Sequence, residues 1–348
     1  MAIWQNLFTR GAADDAAWRR FAVWLLTVFG GGIAIIYLAL IVIDPYDTGR
    51  FPTFMPAGIP DEHQQVNSAS RGRNPAFNAA IFGNSHGQLL SPQRLSAQTG
   101  MRFVQMTSPG SGPREQLTFM RYFLRHHPDT QGIVLAADER WCTHDAALPA
   151  LFQFSPWLYE SNFQYLTHIL STRAIVAARK RVMMALGKLP AYDPAGYWDY
   201  ETGKPWNFHP GTDDKPLRAI ATSTDVNRFF PALEALDTFT ATLPASLPIV
   251  IVMPPQSSQM LPETGTVAAN ELAVCKEAIA RRVQERGRGV FLDYLVDGPR
   301  ARDPQNFMDR DHYRLPIARE IETAIASALR AANPQQSPPR ATPSPPAR

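Results

Sequence analysis

Three residues of this chain have the types and spacing for covalent chemistry: Ser85, Asp309 and His312. Ser85 follows the apolar run Ala79-Ala80-Ile81-Phe82 within Gly83-Asn84-Ser85-His86-Gly87. A serine hydroxyl is almost never ionised near neutral pH, so it becomes a nucleophile only beside a base. His312 can be that base. Asp309, three positions earlier in Asp309-Arg310-Asp311-His312, can hold the imidazole in the right tautomer. A spacing of three puts both side chains on one side of a helical turn. Asp311 is the rival carboxylate, but it abuts His312 and would point elsewhere. In the competing reading the two aspartates cap the closing helix and His312 is a surface residue.

A tetrahedral intermediate also needs donors for its oxyanion, usually the largest catalytic contribution. The Ser85 backbone N–H is one candidate. The N–H of Gly110 or Gly112, in Thr107-Ser108-Pro109-Gly110-Ser111-Gly112, is another, and the Asn84 side chain a third. Asp138, in Ala136-Ala137-Asp138-Glu139-Arg140-Trp141, occupies a similar position after another apolar run but cannot donate when ionised. His86, beside the serine, reads as a packing residue.

The elements that must position these groups alternate. Apolar runs at 77–82, 102–107, 132–137, 247–253 and 289–295 read as strands, and 114–126, 267–286 and about 315–331 as helices. Such alternation predicts a mostly parallel sheet covered on both faces. Every candidate residue then lies just beyond the carboxyl end of a strand, where open α/β sheets bind ligands.

These motifs resemble those of the SGNH (GDSL-like) hydrolase superfamily, in the membrane-anchored cell-envelope branch of AlgJ/AlgX- and DltD-type proteins. Gly83-Asn84-Ser85-His86 matches the first block, with Asn84 where Asp is usual; Gly110 or Gly112 stands for the second-block glycine, and Asp309-x-x-His312 matches the last block. The third block, Gly-x-Asn-Asp, is absent, and the segment around Asp138 takes its place, leaving one side-chain oxyanion donor unaccounted for. The resemblance covers about residues 75 to 330. It implies a three-layer α/β/α sandwich of SGNH/flavodoxin-like type. It also implies a serine esterase or O-acyltransferase that works through an acyl-enzyme on acyl, chiefly acetyl, esters of a cell-envelope polysaccharide. A second class of function stays open: a catalytically weak accessory protein that binds a polymer or a multi-span membrane acyltransferase.

The rest of the chain supplies the setting. A charge-free run at 21–43 is long enough, at about 1.5 Å per residue, to cross a hydrocarbon core of about 30 Å. Arg10, Arg19 and Arg20 precede it and Asp44 and Asp47 follow, so the positive-inside rule places residues 1–20 in the cytoplasm and the remainder in the periplasm. The expected organisation is a transmembrane anchor at 21–43, an extended proline-containing stem at 44–75 and an α/β domain at 76–332. An aromatic-rich insertion runs from about 141 to 246, and a disordered Pro-rich tail covers 333–348. The insertion's aromatics could stack on sugar rings or simply pack a core. Arg179-Lys180-Arg181 could meet anionic headgroups or form a solvated helix face.

Composition narrows the classes further. A net charge of +3 from scattered Lys and Arg gives no basic stripe for nucleic acid. No His, Cys, Asp or Glu spacing matches a metal-ligand pattern, so no metal or other cofactor is expected. The two cysteines, Cys142 and Cys275, are a disulfide candidate if the domain is exported and two buried thiols otherwise.

Overall fold

The structure is a computed structural model that describes residues 12–60, 63–150, 154–209 and 229–332. The proline-rich tail and most of the expected cytoplasmic segment lie outside the described residues. The five apolar runs form strands β1 (Ala79–Gly83), β2 (Phe103–Thr107), β3 (Gly132–Ala136), β4 (Ile249–Met253) and β5 (Gly289–Asp293). All are parallel, in the order β2-β1-β3-β4-β5. Their ends fall within two residues of the expected ones. Strands β1 to β4 are buried throughout, which is why β1, β3 and β4 read as continuous apolar runs, while β2 buries Gln105 within its run.

The helices are α1 (Ala12–Ile43), α2 (Gln64–Arg71), α3 (Pro92–Thr99), α4 (Pro113–His126), α5 (Arg140–Thr143), α6 (Asn162–His168), α7 (Thr172–Ala185), α8 (Pro231–Thr240), α9 (Val267–Glu285), α10 (Pro299–Arg302) and α11 (Leu315–Ala332). Side chains alternate across a strand, so each strand feeds two apolar clusters. Phe82, Met106, Leu135 and Ile251 join the first, with α4, α8 and α9. Ile81, Phe103, Val134 and Val252 join the second, with Leu95 of α3 and Ile317, Ile321, Ile325 and Leu329 of α11. The α11 set recurs at helical spacing, and each fully buried aliphatic side chain contributes about 1.5–3 kcal/mol.

One expectation is corrected here. The described residues of 44–75 are not an extended stem; they pack against the folded body. Asp44, Tyr46 and Asp47 are buried, and Val66–Arg71 of α2 are buried as well. The cause is electrostatic. Arg181, on α7, is wholly buried and donates to Asp47 Oδ1 at 2.9 Å, to Ile43 O at 3.0 Å, to Pro56 O at 3.1 Å and to Asp44 O. Arg73 pairs with the same Asp47. Arg181 therefore lies in the core and not on a solvated or headgroup-facing surface. By capping the last carbonyls of α1 it also places a cation where the helix dipole is negative.

The insertion is tied down along its length. The Gln105 N–H, on edge strand β2, donates to Ala195 O at 2.8 Å, which covers an otherwise open sheet edge. Tyr159 and Tyr165 are buried, and Trp157 packs against Tyr46, so these aromatics build core. Cys142 of α5 is bonded to Cys275 of α9, with Cα atoms 5.7 Å apart. Their sequence separation of 133 residues makes this crosslink worth about 3–5 kcal/mol in the chain-entropy picture.

Candidate active site

The chain leaves β1 toward α3, in the second cluster, and leaves β2 toward α4, in the first. Successive connections on opposite faces open a crevice beyond the carboxyl ends of β1 and β3. Ser85 enters it from β1 and Asp138 from β3.

The turn that presents Ser85 depends on Gly83. Its φ is +149°, and a Cβ there would stand 2.6 Å from Ala136 O on β3. Gly83 O accepts from Ser108 N at 3.1 Å and from Ser111 Oγ at 3.2 Å, which joins the β1 and β2 loops. Ser85 starts a single 3-10 turn and is partly exposed.

The candidate oxyanion donors separate cleanly. Asn84 Oδ1 accepts from His86 N at 3.0 Å, and Asn84 Nδ2 donates to the Asp138 carboxylate. Asn84 is thus a brace between the β1 and β3 loops. Gly112 N donates to Glu115 Oε2 at 2.9 Å, capping α4, so that N–H is already committed. Gly110, at φ +73°, gives its carbonyl to Arg140 Nη1 at 2.7 Å, while no described group accepts from its N–H. The Ser85 N–H likewise meets no acceptor among the described residues. The open donors are therefore Ser85 and Gly110.

At the other end, His312 Nδ1 lies 2.9 Å from the Asp309 carboxylate, which also accepts from the Asp311 and His312 N–H groups. Asp309, not Asp311, holds the imidazole. Burial pushes the Asp309 carboxyl up, but the His312 hydrogen bond and charge, with the two N–H groups, outweigh it and hold it below its ordinary value. Burial moves Asp311 the other way, upward. No hydrogen bond joins Ser85 Oγ to the His312 ring among the described residues. The link between them is His86, next to Ser85 in the chain, whose ring centroid is 5.6 Å from that of His312.

His86 is buried, and burial, reinforced by His312 and Arg140, lowers its pKa to about 3. It is a neutral wall of the crevice. Burial raises Asp138 to about 8, with Glu139 adding to the shift and Arg140 and Asn84 opposing it. Burial thus favours the neutral form of Asp138, the form in which a carboxyl can donate.

Several framing residues were not legible as functional in the sequence. Arg140, at the start of α5, reaches to Gly110 O and Ser111 O, with its Nε 3.8 Å from Asp138. The Tyr313 O–H donates to His86 O at 2.6 Å, closing the motif loop onto the Ser85 turn. Tyr200, from the insertion, sets its ring 5.4 Å from that of His312 and donates to Tyr313 O at 2.8 Å. Ser257 N, beyond β4, donates to Arg310 O at 3.0 Å. Tyr200 carried one faint signal, its place in an aromatic-rich insertion; Arg140 carried none.

Comparison of the chain with protein-family models and with curated proteins returns no match.

Proposed function

We propose that this chain is a serine esterase or O-acyltransferase of SGNH type, anchored in a membrane and acting on acyl esters, chiefly acetyl, of a cell-envelope polysaccharide. The observation that carries the reading is the Asp309–His312 pair, whose ring stands beside His86, the residue that follows Ser85. We read the sheet with its two apolar faces as a three-layer α/β/α sandwich of SGNH/flavodoxin-like kind.

With its proton on Nδ1 toward Asp309, His312 offers the Nε2 lone pair as base. Ser85 Oγ gives its proton to Nε2 and attacks the acyl carbonyl, and the oxyanion is received by the Ser85 and Gly110 N–H groups. Collapse expels the sugar alkoxide, which takes the proton back from His312. Water or a second hydroxyl then releases the acyl group by the same steps in reverse.

Export of the domain is supported by the arginines that precede the span and by the Cys142–Cys275 bond, which fits an oxidising compartment. Among the described residues, one helix, over Asp15–Ile43, is apolar enough to cross a membrane. Reaction of the full chain in detergent with a serine-directed fluorophosphonate tests the proposal. We expect one covalent adduct at Ser85, absent from Ser85→Ala and from His312→Ala. An unreactive Ser85 in folded protein would favour the accessory reading, in which the crevice binds a polymer or a multi-span acyltransferase without turnover.

A further inference from the structure

The last turns of α1 do not stand clear of the domain. The Tyr37 O–H donates to Leu166 O at 3.0 Å, Leu40 is buried, and Arg181 caps Ile43 O. Tyr37 lies six residues before Ile43, about 9 Å along the helix axis. If the charge-free run fills the hydrocarbon core, whatever touches Tyr37 sits at the level of the acyl chains and headgroups, not in bulk water.

What touches it is the α6–α7 segment, residues 162–189. It contains no Asp or Glu, and its basic residues are Arg173, Arg179, Lys180, Arg181 and Lys188. Helix α7 turns Ala174, Ala177, Ala178, Arg181 and Met184 inward. It leaves Ile175 and Val176 exposed, as are Phe163, at 71%, and Leu186, at 63%. Scattered exposed apolar residues are ordinary. Here they gather on one short segment beside the anchor, with basic residues and no acidic one, which is the composition of an interfacial helix.

We propose that residues 162–189 bed into the anionic surface of the leaflet from which α1 emerges, with Phe163, Ile175, Val176 and Leu186 at the acyl boundary and Arg179 and Lys188 at lipid phosphates. The domain is then held by a span and a second, interfacial foot, and not by a flexible tether. The inference rests on α1 crossing a bilayer and is independent of the chemistry at Ser85.

The only cysteines are the bonded pair, so an introduced cysteine gives a single free thiol. Full-length Ile175→Cys, Leu186→Cys, Val28→Cys and Ser327→Cys proteins would carry an environment-sensitive fluorophore in phosphatidylcholine–phosphatidylglycerol vesicles containing doxyl-labelled lipid. We expect quenching at 28, 175 and 186 but not at 327, which lies on α11, in the opposite cluster. Quenching at 28 with none at 175 or 186 would overturn the proposal. No quenching at 28 would instead overturn the membrane span itself. Replacing phosphatidylglycerol by phosphatidylcholine, or changing Arg179→Gln with Lys188→Gln, is expected to reduce quenching at 175 and 186. No change in either arm would remove the anionic lipid as the ligand.

Discussion

Asp44 and Asp47, at the end of α1, and Asp138, beyond β3, are all buried carboxyl groups, yet their surroundings differ in kind. Around the first two every strong acceptor is answered: Asp44 receives Thr48 Oγ1, Gly49 N and the Tyr165 O–H, and Asp47 receives Arg181, Arg73, Ser70 Oγ and Gly58 N. Around Asp138 there are the Asn84 amide, the Arg140 backbone N–H and, only at 3.8 Å, the Arg140 guanidinium. The same crevice leaves the Ser85 and Gly110 N–H groups open. Saturated polarity fixes a structure, because breaking any part of it orphans a buried group. Unsaturated polarity at a strand end leaves valence for a substrate. The α1 junction is a clamp, and the crevice is the candidate site.

The sharpest way to break this contrast is to remove valence from each region and compare what is lost. In the crevice, Ser85→Ala and His312→Ala are each expected to lower turnover of an acetyl ester by about 10³-fold or more, and the double variant to be no worse, because a triad fails as a unit. Asp309→Asn should cost less than either. Thermal unfolding of the Ser85→Ala and His312→Ala variants should match the parent, since neither side chain holds the core. Additive losses, or a shared drop in stability, would place these residues in the architecture.

At the clamp the expected outcome is the reverse. Arg181→Met removes the cation from two buried carboxylates and uncaps the α1 carbonyls, for a loss of about 3–5 kcal/mol in unfolding free energy. The folded fraction should keep its fluorophosphonate reactivity. A small stability change in denaturant titrations of the detergent-solubilised chain would mean that the pairing carries little energy.

How much of this could be read beforehand follows from the range of the forces involved. The strands and the contact of Asp309 with His312 were legible because apolar runs and short spacings are local signals. The docking of residues 44–75 was not: Arg181 lies more than a hundred residues from its partners Asp44 and Asp47, and a proline-containing segment looks extended whether or not it is clamped. The choice between Gly110 and Gly112 was half legible. Gly112-Pro113-Arg114-Glu115 is a helix-start pattern with the N3 glutamate of a capping box, and reading it so would have removed Gly112 from the oxyanion donors. Arg140 could be found only in three dimensions, because its partners come from the β2 loop.

The protonation of Asp138 sharpens the contrast most finely. Its folded pKa, raised by burial to about 8, stands above the ordinary 3.8 of an exposed carboxyl. Between those values the native state holds a proton that the unfolded state has released. The stabilisation is therefore complete below the lower value and is lost as pH rises toward the upper one. The slope from this one group is at most about 1.4 kcal/mol per pH unit. Asp138→Asn keeps a neutral side chain of the same shape, so its unfolding free energy should fall less than the parent's between about pH 5 and about pH 8. Denaturant titrations across that range measure the difference. Parallel curves would mean that the partners of Asp138 hold its carboxylate in place, and the crevice would then be a second clamp.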